Sequence, residues 1–143
     1  MCNDVWDEMG QIAGMIWNIP NDIIGIGIGI LDGIATFAMT GQLPSISFGN
    51  NALQITGLAV GNGALTLGNV QLYANATPGE TITSPYTGQQ MVLGDHEEAH
   101  TYQSELLGPF FLPVYLLSGG ISGSNPYEVQ ADMYATGQGG PIP

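Results

Sequence analysis

The sequence predicts one α+β domain, on three observations. Residues 4–17 are apolar near helical spacing and lead into a Gly-rich apolar run, the middle is a series of short alternating runs punctuated by Gly-Asn pairs, and two polar segments near the C-terminus have helix-start signals. With 143 residues, 44% of them apolar, the chain is the size of a single domain with its own core. The expected layout is an apolar helical lead (1–41), a sheet followed by two functional helices (42–135) and a flexible tail (136–143).

Val5, Met9, Ile12, Ile16 and Trp17 recur near helical spacing, which predicts an amphipathic helix ending before Pro20. Asn21 or Asp22 is placed to cap a second helix. There Ile23–Leu31 is uninterrupted apolar sequence, Asp32 breaks it, and Gly33–Met39 resumes it. Gly25, Gly29 and Gly33 have the spacing that lets a helix backbone approach a neighbour closely. The ordinary reading is a Gly-rich helix buried against the domain. A membrane or pore-forming segment is the alternative, although residues 23–39 sit at the lower length limit, contain an aspartate and lack a basic flank. The Ile-Gly alternation also permits a strand.

From residue 43, the runs Ile46/Phe48, Leu53/Ile55, Leu65/Leu67 and Val70/Leu72 are separated by Gly-Asn pairs at 49/50, 61/62 and 68/69. Both residue types tolerate positive φ, so the segment reads as an antiparallel meander of three short strands. Residues 75–90 read as a polar loop.

The stretch GDHEEAHTYQSELLGPF (94–110) follows. A helix capped by Asp95, with Glu98 three residues on, would run to Leu107 and stop at Gly108-Pro109; a start nearer residues 87–90 is the alternative. His96 and His100, four apart, share one helix face, and Glu97 stands within reach of water on an ion they hold, which is the mechanical content of an HExxH motif. Zinc needs a third protein ligand, and the chain has no other histidine and no paired cysteine. The candidate is Glu128 in SNPYEVQAD, on a helix starting at Asn125-Pro126. Asp132, one turn on, is placed to accept from a ligand histidine. The bland alternative for both segments is a solvated acidic helix. Between them, GPFFLPVYLLSGGISGS reads as an apolar hairpin.

The chain has no Lys or Arg against 12 Asp and Glu. Nothing can neutralise phosphates, so nucleic acid and anionic lipid are excluded as charge-driven partners. The carboxylates must be solvated, capped by helix N-termini or bound to metal. Absence of trypsin-type sites suits an exported or delivered protein; compositional drift in a Gly-rich family is the other explanation. The single Cys2 excludes an internal disulfide, and the start lacks the basic region of a Sec signal, which fits a domain cut from a longer chain.

HEEAH at 96–100, followed by Glu128 and Asp132, resembles the gluzincin pattern of HExxH plus ExxxD. More closely, TLGNV (66–70), HEEAHTYQSELLGPFFLPVYLLSG (96–119) and NPYEVQAD (125–132) resemble small bacterial HExxH domains found alone or at the C-terminal ends of Rhs-type polymorphic toxin proteins. IPNDIIGIGIGILDG and SISFGNNALQITG are similar to their lead-in. The resemblance covers residues 18–135 and is specific over 92–132. It implies a compact zinc metallopeptidase-like fold, with His96, His100 and Glu128 as Zn2+ ligands and Glu97 as general base. With no Arg as electrophile, a tyrosine (Tyr127, Tyr134 or Tyr102, in that order) or a backbone N–H would stabilise the oxyanion. The implied partners are a peptide or protein substrate and a toxin carrier or immunity protein. Rival expectations are a non-catalytic structural or binding module, and a membrane-active effector working through residues 19–39.

Overall fold

The computed structural model describes the backbone of residues 2–143 and the side chains of residues 7–143, so the side chains of Cys2 and Val5 lie outside the described residues. The chain is mixed α+β. A long apolar helix α1 (Cys2–Thr40) packs on one face of a four-stranded sheet, α2 (Leu93–Leu107) packs on the other, and α3 (Phe111–Leu117) and α4 (Pro126–Ala135) pack on α2.

Where two helices were expected to meet at Pro20, one continuous helix forms with Pro20 inside it. An interior proline costs roughly 3 kcal/mol through its missing N–H and the clash with the preceding turn. A buried polar clasp beside it offsets that cost. The Asn21 side-chain amide donates to Asn18 Oδ1 (2.9 Å), Ser104 Oγ (3.1 Å) and the Gly108 carbonyl (2.8 Å), and Asn18 donates to Asn69 Oδ1 (2.9 Å).

The glycine stripe serves helix-on-sheet packing. A Cβ at Gly25 would stand 2.8 Å from Val70 Cβ and 2.9 Å from the Leu67 carbonyl, and one at Gly29 would stand 2.6 Å from Ile55 Cδ1. Contact of this kind is available only to a backbone with no side chain between. The expectation of a helix buried within the domain holds along one face alone, made of these glycines with Asn18, Asn21 and Thr36, because most of the other described residues of α1 are exposed.

The sheet contains β1 (Ser45–Gly49), β2 (Ala52–Leu58), β3 (Gly63–Leu67) and β4 (Val70–Ala74) in the order β1-β2-β4-β3. β1–β2 and β3–β4 are antiparallel, but β2–β4 is parallel. The sheet is therefore mixed and has four strands, not the antiparallel three-stranded meander expected. All five residues of β4 are buried, so this strand takes a central place and β3 is left at the edge. The β1–β2 turn uses Asn50 and Asn51, both at positive φ (47° and 57°), a conformation asparagine tolerates. Ile55 and Leu72 point toward α1, while the alternate positions Gln54, Thr66 and Gln71 face α2.

The segment read as a loop contains a small hairpin, β5 (Thr81–Thr83) with β6 (Gln90–Val92). The apolar stretch after α2, read as a hairpin, is instead a 3-10 turn leading into α3. The tail expected to be flexible is tied down: Gln103 donates to the Pro141 carbonyl (2.7 Å) and Gln130 to the Gly140 carbonyl (2.6 Å).

Candidate metal centre

α2 begins at Leu93, between the two expected starts, because β6 occupies residues 90–92. Asp95 lies in the first turn and does not cap, and Val92 holds the N-cap position with no side-chain bond. The free N–H groups at this end find carbonyls in the preceding loop instead: Leu93 donates to Glu80 (2.9 Å) and Gly94 to Pro78 (2.8 Å). Gly94 admits no side chain, since a Cβ would stand 2.7 Å from the Pro78 carbonyl and from Asn50 Oδ1. His96 and His100 follow on one face. Opposite them, α4 starts as the sequence indicates, with Asn125 accepting from the Tyr127 N–H (3.0 Å) and Pro126 at the first helical position.

The two helices bring His96, His100 and Glu128 together as a buried group that could hold a metal ion. The Nε2 atoms of His96 and His100 are 3.2 Å apart, Glu128 Oε2 lies 3.3 Å from His96 Nε2, and Glu128 Oε1 lies 3.5 Å from His100 Nε2. Ligand atoms held tetrahedrally about 2.0–2.1 Å from a zinc ion would stand about 3.3 Å from each other. The pairwise approaches are thus close to the spacing such an ion requires, with either Glu128 oxygen in reach.

The outer ring nitrogens fix which lone pairs face inward. His96 Nδ1 lies 2.9 Å from Asp132 Oδ1, and His100 Nδ1 lies 2.8 Å from Gln103 Oε1. The orientation of Gln103 follows from its amide nitrogen, which donates to the Tyr127 carbonyl (3.0 Å) and the Pro141 carbonyl (2.7 Å). Both Nδ1 partners are acceptors, so the network assigns the proton to Nδ1 in each ring. Each Nε2 is then turned on the carboxylate, as a lone pair facing an ion or as a second N–H donating to Glu128. Three electron-rich groups at this spacing, buried from water, call for a cation among them, either a proton or a metal ion.

Electrostatics agree. In the protein alone, burial pulls the His96 imidazolium down, but hydrogen bonds to Asp132 and Glu128, with the charges of Glu97 and Glu128, outweigh it and push the pKa up to about 10. Burial opposes charge on Glu128 as well, yet hydrogen bonds from His100 and His96 hold its carboxyl well below the usual range. Asp132 is lowered in the same way, burial being outweighed by His96 and Ser84. Ser84 and Thr87 both donate to its second oxygen.

Glu97 is buried beside the pair, and the Thr66 hydroxyl on β3 donates to its Oε2 (2.5 Å). A cleft of about 270 Å³ opens over this group, bounded by β3 and by Ile82, Tyr86, Met91, Leu112 and Tyr115. The tyrosines expected to face it do not line it. Tyr134 and Tyr102 both donate to Glu98 (2.8 and 3.3 Å), and Tyr127 packs its ring on Phe111. They fall on other faces of their helices, which spacing alone did not separate. Tyr115 and Tyr86 line the cleft instead. Tyr115 donates to Glu128 Oε1, and Tyr86 is pushed up to about 12, first by burial and then by the charges of Glu128, Asp132 and Glu97.

No protein-family model, curated protein or solved structure matches the chain. What the cluster can do follows from its own chemistry.

Proposed function

We propose that the chain is a zinc-dependent peptide-bond hydrolase with a gluzincin-like site. The observation that carries this reading is the convergence of two histidines, whose Nδ1 atoms face acceptors, and a carboxylate at 3.2–3.5 Å from one another, with Glu97 bordering the same cleft. The donor set of two imidazoles and one carboxylate matches that of catalytic zinc, whose fourth position stays open. A zinc ion there would supply a Lewis acid for the carbonyl and lower the pKa of a water.

The protein's own groups would do the rest. Glu97, with Oε2 engaged by Thr66, has Oε1 for the proton of the attacking water and returns it to the leaving amine. Tyr86, kept protonated by its raised pKa, is the cleft tyrosine best suited to donate to the developing oxyanion, since the Tyr115 hydroxyl is engaged by Glu128. β3 is an edge strand along the cleft, so an extended peptide can add to it by main-chain hydrogen bonds. Carboxylates with no Lys or Arg anywhere in the chain favour neutral or basic peptides. The resemblance to toxin-associated HExxH domains supports the same reading and extends it to an exported or delivered effector, with a carrier or immunity protein as partner.

The test is metal content by elemental analysis beside hydrolysis of a peptide library. Wild type should carry about one zinc per chain, His96→Ala and Glu128→Ala should lose it, and Glu97→Gln should keep it while losing hydrolysis by at least about a hundredfold. Glu97→Gln as active as wild type would remove the mechanism. A second reading, a non-catalytic module, has one observation in its favour: among the described residues every buried polar side-chain atom has a hydrogen-bond partner without an ion. It predicts folded, metal-free protein even when zinc is offered.

A further inference from the structure

The sidedness of α1 is the reverse of that in a water-facing helix. From Ile12 to Met39 every exposed residue is apolar, among them Ile16, Ile23, Ile30, Leu31, Ile34 and Phe37. Every polar residue in that span (Asn18, Asn21, Asp22, Asp32 and Thr36) is turned toward the body and hydrogen-bonded there. At 100° per residue the inward stripe occupies about a third of the circumference and the apolar arc about 200°. Ile46 and Phe48 on β1 pair with Ile55 and Leu53, so they lie on the sheet face that α1 covers, and both are exposed beside it.

We propose that this face seats in the hydrocarbon of a bilayer with neutral headgroups, α1 lying parallel to the surface. The width of the arc selects the occupant. A second copy docking helix on helix covers one stripe, as the sheet does, and leaves apolar surface on both sides; it also brings together two chains of net charge −12. Hydrocarbon covers the whole arc. Charge selects the headgroup, because anionic lipid repels this chain and no Lys or Arg anchors it. The sheet selects the orientation: it packs on Gly25 and Gly29, midway along the apolar span, and its open edges cannot enter a bilayer core. The helix therefore lies in the interface, about 5–10 Å deep, and does not cross.

The test is flotation of the full chain with phosphatidylcholine vesicles, beside Ile23→Glu/Ile30→Glu and the single variant Leu31→Glu. All three side chains are outward-facing (65%, 57% and 69% exposed), and circular dichroism with urea midpoints checks that each variant folds. Wild type should float, with partitioning at least tenfold lower in the double variant, reduced in Leu31→Glu, and weaker on phosphatidylglycerol vesicles at low salt. His96→Ala should float like wild type, which separates this result from the fate of the metal site. Wild type that stays unbound overturns the proposal, as does equal flotation of the folded glutamate variants. A lipid-free dimer that the glutamates dissociate also overturns it and gives the face to a second copy.

Discussion

If His96 holds its proton up to about pH 10 in the metal-free protein, a metal ion must displace that proton, and the competition is measurable. The perturbation is pH, varied from 6.5 to 8.5. Apparent affinity scales with the fraction of His96 that is unprotonated. A histidine titrating at its ordinary value of 6.5 would be half free at the lower pH and nearly all free at the upper, about a twofold gain. With the pKa at about 10, the free fraction rises about 100-fold over the same range, or about 1.4 kcal/mol per pH unit. Competition against a chromophoric chelator, corrected for the chelator's own protonation, reads this directly. Stability should move oppositely. Because the folded-state pKa is raised, the contribution of His96 to metal-free stability is complete below about 6.5 and is lost as pH rises through about 10. A gain in metal affinity that stays near twofold across the window would refute a His96 imidazolium held between Asp132 and Glu128.

Three further outcomes are expected. Gln103→Ala frees His100 Nδ1 and unties Pro141, so metal affinity should fall by about 10–100-fold by chelator competition while α2 and α4 remain folded by circular dichroism. Tyr86→Phe should lower kcat on a cleavable peptide by about 10–100-fold with KM and metal content unchanged, the pattern of a donor used in the transition state. Gly25→Val should lower stability by at least about 1–3 kcal/mol in urea, since its first carbon meets the Leu67 carbonyl, whereas Gly27→Val, with nothing within 4 Å, should not destabilise.

The chemistry of the candidate site was more legible than its walls. His96 and His100 share a face by helical period, and Asn125-Pro126 announces the helix that brings Glu128 and Asp132, so local rules were enough for the group that could hold a metal ion. Gln103 falls on the same face by the same period, three residues after His100, but a neutral amide on a polar helix has no signal that separates it from a solvated side chain. Thr66, Tyr86 and Tyr115 come from a strand, a loop and a short helix, and only tertiary packing brings them to the cleft. Sheet order failed for a related reason: alternation shows which face a residue takes but not which strand lies beside it, and the burial of β4 on both faces decides that. At Pro20 a strong local rule lost to the Asn18–Asn21 clasp, whose partners lie more than forty residues away.

The missing cations expose what is particular about residues 96–132. Solvent, helix ends and metal were the expected partners of the carboxylates, but neutral donors do most of the work: Asn51 and Asn69 on Glu105, the Asn69 N–H on Asp22, Thr66 on Glu97, and Asn50, Tyr102 and Tyr134 on Glu98. An amide or hydroxyl satisfies one acceptor and leaves the negative charge in place. Among the described residues, only Glu128 and Asp132 engage imidazoles, and only at Glu128 do two ring lone pairs and a carboxylate share one point. A neutral donor placed there would satisfy one of the three and leave two lone pairs opposed in a buried site. This is the one place among the described residues where a cation could meet all three groups, and a divalent ion would serve them at once where a proton serves two.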